Sequence, residues 1–295
     1  MFASRQRGPI ILGLLTTIFL WGGNNAGVKF LVQTWPPLLV GSTRFFVAGL
    51  LMLAILRLTS ASAMNTPLTP PIRKQLWLRG GLSLAAYVAL FNTALRYTAA
   101  AHVAIYLAAS PVWALVLEGH SPLNWKELRM RYAAALLALS GVGVLFWPVL
   151  KSANGSLRGE LLGLAASVLW TNYGRQCRVL GQSLSGAEVS AHTMFRAGIL
   201  LAPLATLEVL GKPFSCSPLL VGVQLYCILG GGILAFAFWN NALRHWKTSE
   251  VFLFNNLIPL STVLWAHFCL GERIGQNFWL AMVLVIGGVL VGQRR

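Results

Sequence analysis

The chain has 295 residues, of which 56% are hydrophobic and only 10% charged. A soluble domain carries about 25% charge, so most of this surface must face something other than water. The net charge is +16 and the seven acidic residues are all Glu; nucleic acid is not the implied partner, because the basic residues fall between apolar runs instead of forming one stripe, and chemistry that needs an Asp pair, an aspartyl-phosphate or a Walker-B Asp is excluded.

Met1 to Gly8 is short and basic. The apolar run from Pro9 continues to Leu31 without a clear cleavage site, so 9–31 reads as a first membrane span and not as a signal peptide. Further spans are expected at 37–57, 79–97, 100–118, 131–149, 159–178, 187–210, 217–242, 249–270 and 275–293, each near the roughly 20 residues a bilayer helix needs. The expected fold is therefore all-α and integral to a lipid bilayer, with ten transmembrane helices. The one long loop is 58–76, rich in Ser, Pro and Thr, and the link at 150–158 separates a first half, 1–149, from a second, 159–295. The span at 159–178 is amphipathic and ends in Arg175 and Arg178.

With the N-terminus in the cytoplasm and the spans alternating, inside loops and flanks carry 15 Lys and Arg against 5 outside, and Lys29, Arg44 and Arg196 lie within spans. This bias predicts a multi-pass plasma (inner) membrane protein with both termini cytoplasmic. Cys177, Cys216, Cys227 and Cys269 form no CxxC pair, and the five histidines form no HxxxH or HExxH set, so free thiols, no metal and no cofactor are expected.

The chain repeats itself. Leu95-Arg96-Tyr97 matches Leu243-Arg244-His245, Asn92 matches Asn240, and Pro111 matches Pro259, all at an offset of 148. Leu20-Trp21 recurs as Leu169-Trp170, Arg44 as Arg196, and Gly141-Val142-Gly143-Val144-Leu145 as Gly287-Gly288-Val289-Leu290. Five spans per half is an odd number, so the second half enters the membrane from the opposite side. Two such inverted-topology repeats are the architecture of many secondary transporters, with the substrate near the midplane.

Leu20-Trp21-Gly22-Gly23-Asn24, Pro36-Pro37, Arg44-Phe45 and Ala94-Leu95-Arg96-Tyr97-Thr98-Ala99-Ala100 resemble the opening of an EamA-type repeat. Trp239-Asn240-Asn241-Ala242-Leu243-Arg244, Pro259 and Leu270-Gly271-Glu272-Arg273-Ile274 resemble its close. The first half has Glu118-Gly119-His120-Ser121-Pro122 where the second has Gly-Glu-Arg. On these motifs the chain is identified as similar to the drug/metabolite transporter superfamily. The resemblance implies export of metabolites or amino acids along a path lined by the fourth and ninth spans.

No GxxxxGK[ST] loop is present, so transport must be secondary. In the fourth span His102, Tyr106, Ala109 and Trp113 share a helical face; the ninth offers Glu250, Phe254, Leu257 and Ser261 at matching places. These stripes either line a cavity or pack helices. His102 and Glu250 are expected near opposite ends of the path, and Glu250 is the proton-coupling candidate, since a carboxyl withdrawn from water holds a proton more readily. Further substrate-contact candidates are Trp21, Asn24 and Asn25 in the first span, Tyr87 and Phe91 in the third, Trp170 and Tyr173 in the sixth, and Trp239 and Asn240 in the eighth. At least one of the adjacent Asn24 and Asn25 is expected to bond a neighbouring helix. Arg44 and Arg196, being repeated, suit a structural role holding a helix end through its carbonyls, and Lys29 suits snorkelling. Pro111 and Pro259 read as matched hinges, with Gly80-Gly81 and Gly230-Gly231-Gly232 adding pliancy. Gly288 and Gly292 suit close packing or a homodimer contact. The expected function is export of small amphipathic metabolites, amino acids first, by alternating access; the alternatives are a channel or lipid flippase and, more remotely, a membrane-embedded enzyme acting on a lipid-linked substrate.

Overall fold

Apolar runs of this length can satisfy their backbone groups away from water only by winding into helices. The computed structural model describes residues 7–59, 68–98, 100–118, 125–152, 156–210, 215–270 and 274–293, and among these every regular element is helical. In chain order they are α1 (Arg7–Thr34), α2 (Pro37–Thr59), α3 (Pro70–Tyr97), α4 (Ala100–Ala108), α5 (Ser110–Glu118), α6 (Trp125–Ser152), α7 (Leu157–Leu180), α8 (Gly186–Val209), α9 (Pro218–His245), α10 (Thr248–Leu253), α11 (Ile258–Leu270) and α12 (Gln276–Gly292). By length and composition five of them, α1, α2, α3, α6 and α9, can cross a membrane. Residues 119–124 and 271–273, which hold most of the two contrasted Glu-containing motifs, lie outside the described residues, as does the middle of the 150–158 link.

Several boundaries differ from the sequence reading. The third span does not begin at residue 79: its helix starts at Pro70, inside the expected loop. Pro70 and Pro71 occupy the first helical positions, where a missing amide costs nothing and a fixed φ helps, so they start the helix. The fourth span is not one helix. It breaks at Ala109, whose amide bonds only three residues back, to Tyr106 O at 3.1 Å. Pro111 is the second residue of α5, and Pro259 is likewise the second residue of α11, after the 3₁₀ turn Phe254–Leu257. Each proline thus sits at a helix restart, as its lost donor and bulky ring require. The glycine clusters coincide with π-helical segments, Leu76–Gly81 within α3 and Cys227–Leu234 within α9.

The amphipathic stretch expected at 159–178 forms α7, capped by Ser156, whose Oγ accepts the Gly159 amide at 3.2 Å. A reciprocal capping box of Ser185 and Glu188 starts α8.

Two helix pairs meet through reciprocal contacts. In α2, Gly49 faces the backbone of Phe195 in α8, while Gly198 in α8 faces the backbone of Phe46 in α2, and the Phe46 and Phe195 rings stack at 5.4 Å. Rising numbers in one helix meet falling numbers in the other, so the two run antiparallel. In the second pair, Gly141 of α6 rests on Ala281 and Val285 of α12, and Gly288 of α12 rests on Ala134 and Ala138 of α6, again antiparallel. Gly292 meets Leu253 and Ala134. The glycines considered for a homodimer contact therefore pack inside the chain.

The periphery is apolar. Leu12, Phe19, Leu58, Leu136, Leu207, Phe268, Val283 and Leu290 are all exposed. Cys177 and Cys227 are buried free thiols and Cys216 an exposed one.

Candidate functional site

Helices from both parts of the chain bring their aromatic residues to one place. Trp21 of α1 lies 5.4 Å from Trp170 of α7 and 5.0 Å from Trp239 of α9, ring centre to ring centre, with Phe236 at 5.2 Å. Trp170 stacks on Trp239 at 5.8 Å and on Tyr173 at 5.7 Å, and meets Tyr87 of α3 at 4.9 Å and Phe252 of α10 at 5.8 Å. These are separations at which ring edges and faces attract.

Hydrogen bonds fix the two front rings. Trp21 Nε1 donates to Gly231 O at 2.9 Å. The π segment makes that carbonyl available: the Ala235 amide bonds to Gly230 O and Gly232 O on either side of it. Trp170 Nε1 donates to Asn255 Oδ1 at 3.4 Å, and Asn255 Nδ2 donates to Leu107 O at 3.0 Å. Leu107 is four residues before Pro111, so its carbonyl is the one that proline deprives of a helical donor. Asn255 supplies that donor from the other half.

On one side of this cluster is a central cavity of about 40 Å³, room for a few waters. Trp21, Tyr87, Phe91, Trp170 and Phe236 line it with rings, and Asn24, Asn25, Asn92, Asn255 and Arg44 line it with polar groups. Asn24 and Asn25 thus both reach the cavity. Arg44 Nη2 reaches Gly231 O, in mid-helix, at 3.3 Å, and Arg196 Nη1 bonds His192 O of its own helix at 3.0 Å. Neither arginine holds a neighbouring helix end, contrary to the expectation. Lys29 does so: its Nζ donates to Leu95 O at 2.6 Å at the end of α3.

Other candidates lie elsewhere. Trp239 is fully buried behind Trp21 and Trp170. Tyr173 and Asn240 form a packing network, with Asn240 Nδ2 donating to Ser190 Oγ at 2.8 Å and Tyr173 OH at 3.0 Å from Thr193 Oγ1. Trp113 is not among the cavity-lining residues, and neither are His102 and Tyr106 of the same stripe; Leu107 is the residue of that span that reaches the cavity. Phe254 packs against Trp246 at 6.2 Å.

Two polar clusters mark the ends of the bundle. At the Lys29 end of α1, Glu160 of α7 accepts Thr98 Oγ1 at 2.6 Å and Tyr106 OH at 2.8 Å, and lies 2.7 Å from His102 Nδ1. At the Arg7 end, Arg131 bridges Glu127 at 2.8 Å and Glu250 at 3.2 Å. Arg7 and Lys29 are about 33 Å apart along a helix rising 1.5 Å per residue, so His102 and Glu250 do sit near opposite ends. Arg7 Nη2 also donates to Gln293 O at 2.8 Å, which brings the two ends of the described chain to one side. Here a vestibule of about 650 Å³ opens, lined by Arg131, Arg178, Trp246, Glu250 and Gln293 among others. That volume is in the range of small-molecule sites.

The sequence reading missed Glu160, Phe236, Phe252, Asn255 and the cavity-facing role of Arg44. Intramembrane amides are costly without partners, and the Asn255-Asn256 pair carried the same signal as Asn24-Asn25. Asn255 also stands at the repeat offset from Leu107.

Apolar helices with an apolar periphery and a polar, aromatic interior are those of a multi-pass membrane protein. The model of the EamA-like transporter family matches the chain twice, over residues 8–147 and 157–292. The chain belongs to this family, and is a membrane transporter. An uncharacterized transporter of Haemophilus influenzae is 23% identical, covering 94% of this chain and 92% of the relative. The uncharacterized inner membrane transporter YedA of Escherichia coli K12 is 24% identical, covering 97% and 91%. A protein of known crystal structure superposes with a TM-score of 0.79 at 19% identity, covering 97% of this chain and 98% of that one, so the fold is shared.

Proposed function

We propose that the chain is a secondary transporter of the inner membrane that exports small amphipathic metabolites, amino acids first, by alternating access between two inverted repeats. The observation that carries this reading is the aromatic and amide-lined cavity between the halves. It lies between a vestibule at one end of the bundle and the closed Glu160 cluster at the other.

The reciprocal glycine contacts support the inverted repeat. Gly49 and Gly198 are counterparts, as are Phe46 and Phe195, and each glycine meets the other's partner. Gly141 and Gly288 do the same with Ala134, Ala138, Ala281 and Val285. Reciprocal contact between antiparallel counterparts is what a twofold axis in the membrane plane produces. The meeting of Arg7 with Gln293 and the charge bias support cytoplasmic termini, which would make the vestibule the inward mouth. The link at 150–158 would join the repeats.

The test is counterflow in proteoliposomes with a panel of amino acids and related solutes, with and without a pH gradient. Saturable, stoichiometric exchange of one solute class is expected. Unsaturable flux, movement of lipid between leaflets, or turnover of a lipid-linked substrate in place of exchange would sink the carrier reading.

A further inference from the structure

Arg44 lines the central cavity from α2 and is only 6% exposed. A guanidinium carries five donors in a fixed fork. Arg44 uses Nη2 on Gly231 O at 3.3 Å and rests over the Phe45 ring at 4.7 Å, and its Nε has no hydrogen-bond partner. Among the described residues no carboxylate forms an ion pair with it. A buried charge left this incompletely paired is costly. Arg196 of α8, whose Nε likewise has no partner, is held differently: Nη1 bonds both His192 O at 3.0 Å and His192 Nδ1 at 3.1 Å, and the guanidinium lies over Trp77 at 5.2 Å. Arg196 is tied back to its own helix; Arg44 faces the cavity.

A second group in the same cavity also lacks a partner. Asn24 is 3% exposed and its Oδ1 accepts no hydrogen bond. It lies against Gly231, the residue whose carbonyl Arg44 reaches, so the two side chains flank one glycine. A cation and an acceptor, both buried and incompletely bonded, stand beside the Trp21, Tyr87 and Phe91 rings.

We infer that Arg44 and Asn24 form the polar end of a substrate subsite, in which the guanidinium takes the carboxylate of a zwitterionic amino acid, Asn24 Oδ1 takes its ammonium, and the rings take an apolar side chain. This rests on the transporter reading above. Arginine suits the task because its fork matches a carboxylate with two parallel bonds. The opposite charge order is disfavoured, since an ammonium beside Arg44 would be repelled. At about 40 Å³ the cavity is the closed form of the subsite, and it must widen to admit a ligand.

The experiment uses the purified full chain and a panel of amino acids with apolar side chains, each beside its amide, its decarboxylated amine and its deaminated acid. Binding is read from the shift in thermal unfolding and exchange from counterflow. The parent acids should bind about tenfold or more tightly than their amides and amines, because a site built around a polar group rejects the analogue that lacks it. Arg44→Gln should erase that preference and Arg44→Lys should keep part of it. Asn24→Leu should narrow the gap between amino acid and deaminated acid. The comparison among ligands on the unaltered protein needs no variant, so a folding defect in Arg44→Gln does not remove the test. Amides and amines that bind as well as acids would overturn the subsite, and so would an acid preference that survives in Arg44→Gln. Absence of binding by every acid also overturns it, leaving water as the cavity's occupant. Arg44-dependent binding without counterflow leaves the subsite standing and sinks the transport reading instead.

Discussion

Trp21 and Trp239 touch, with ring centres 5.0 Å apart, yet their surroundings give them different work. Trp21 presents its ring to the cavity and is fixed by Gly231 O. Trp239 is enclosed by Trp21, Trp170 and Phe252 and has no exposed surface. Trp21→Ala should therefore raise the substrate KM about tenfold, equivalent to 1.4 kcal/mol, with little change in the maximum rate. Trp239→Ala removes a ring from a filled core and should cost about 3–5 kcal/mol of stability, seen as a lower unfolding midpoint, while the folded fraction keeps its affinity. Counterflow kinetics and thermal unfolding on both variants separate the two roles, and the reverse ranking would contradict them. The sequence marked both residues alike, because a tryptophan inside a span and its repeat offset are the same signal in a lining ring and in the ring behind it. Arg44 shows the converse. Its recurrence as Arg196 suggested one shared structural role, but the contacts that pair Gly49 with Gly198 and Phe46 with Phe195 place Thr193, not Arg196, opposite Arg44 in the repeat, so the two arginines stand at different places on their helices.

At the scale of elements, helices and breaks were largely legible and the faces between helices were not. Hydropathy located the helices, and Pro111 and Pro259 marked where two of them restart. The start of α3 was hidden because Pro-rich, basic sequence reads as loop, although Pro at the first helical turn favours a helix. The meeting of Gly49 with Phe195 and of Gly198 with Phe46 could not be read, because an offset pairs counterparts without saying which of them touch. These contacts make a sharp prediction. A Cβ at Gly49 or Gly198 would collide with backbone, which a rotamer change cannot relieve. Gly49→Val and Gly198→Val should each destabilise the protein by about 1–3 kcal/mol or more, the range for overpacking, and by similar amounts, since they are the two sides of one reciprocal contact. Gly143 has open space around its Cα. Gly143→Ala should leave the unfolding midpoint unchanged or raise it, by up to about 1 kcal/mol from helix propensity alone. Thermal unfolding of the three variants in detergent checks the set; equal tolerance at Gly49 and Gly143 would show that the α2–α8 contact is not close.

In the whole molecule, the two ends of the bundle are built unequally. The Arg7 end holds a vestibule and the Arg131–Glu250 pair. The Lys29 end is drawn shut around Glu160, which joins α7 to α4 through His102 and Tyr106 and to the residue after α3 through Thr98. Ser156 Oγ adds a bond to Tyr97 O at 3.2 Å, and Gly159 lies against Thr98. The alternating access proposed above would require this end to part in each cycle, and its closure to be reversible. A Cβ at Gly159 would sit 2.8 Å from that of Thr98 and 2.9 Å from the Tyr97 carbonyl carbon, and a disulfide needs about 3.5–4.5 Å between Cβ atoms, so a bridge requires the two helix ends to part by roughly 1 Å, and Gly159→Cys alone should lower the unfolding midpoint. The variant Thr98→Cys with Gly159→Cys, in a Cys216→Ser background, should therefore cross-link on oxidation. Oxidised, it should lose counterflow while still binding ligand from the vestibule side; reduced, it should recover exchange. Gly159→Cys alone should exchange in both states, which controls for the substitution itself. Full exchange in the oxidised double variant would mean that substrate does not pass the Glu160 end, and the path would have to leave the bundle elsewhere.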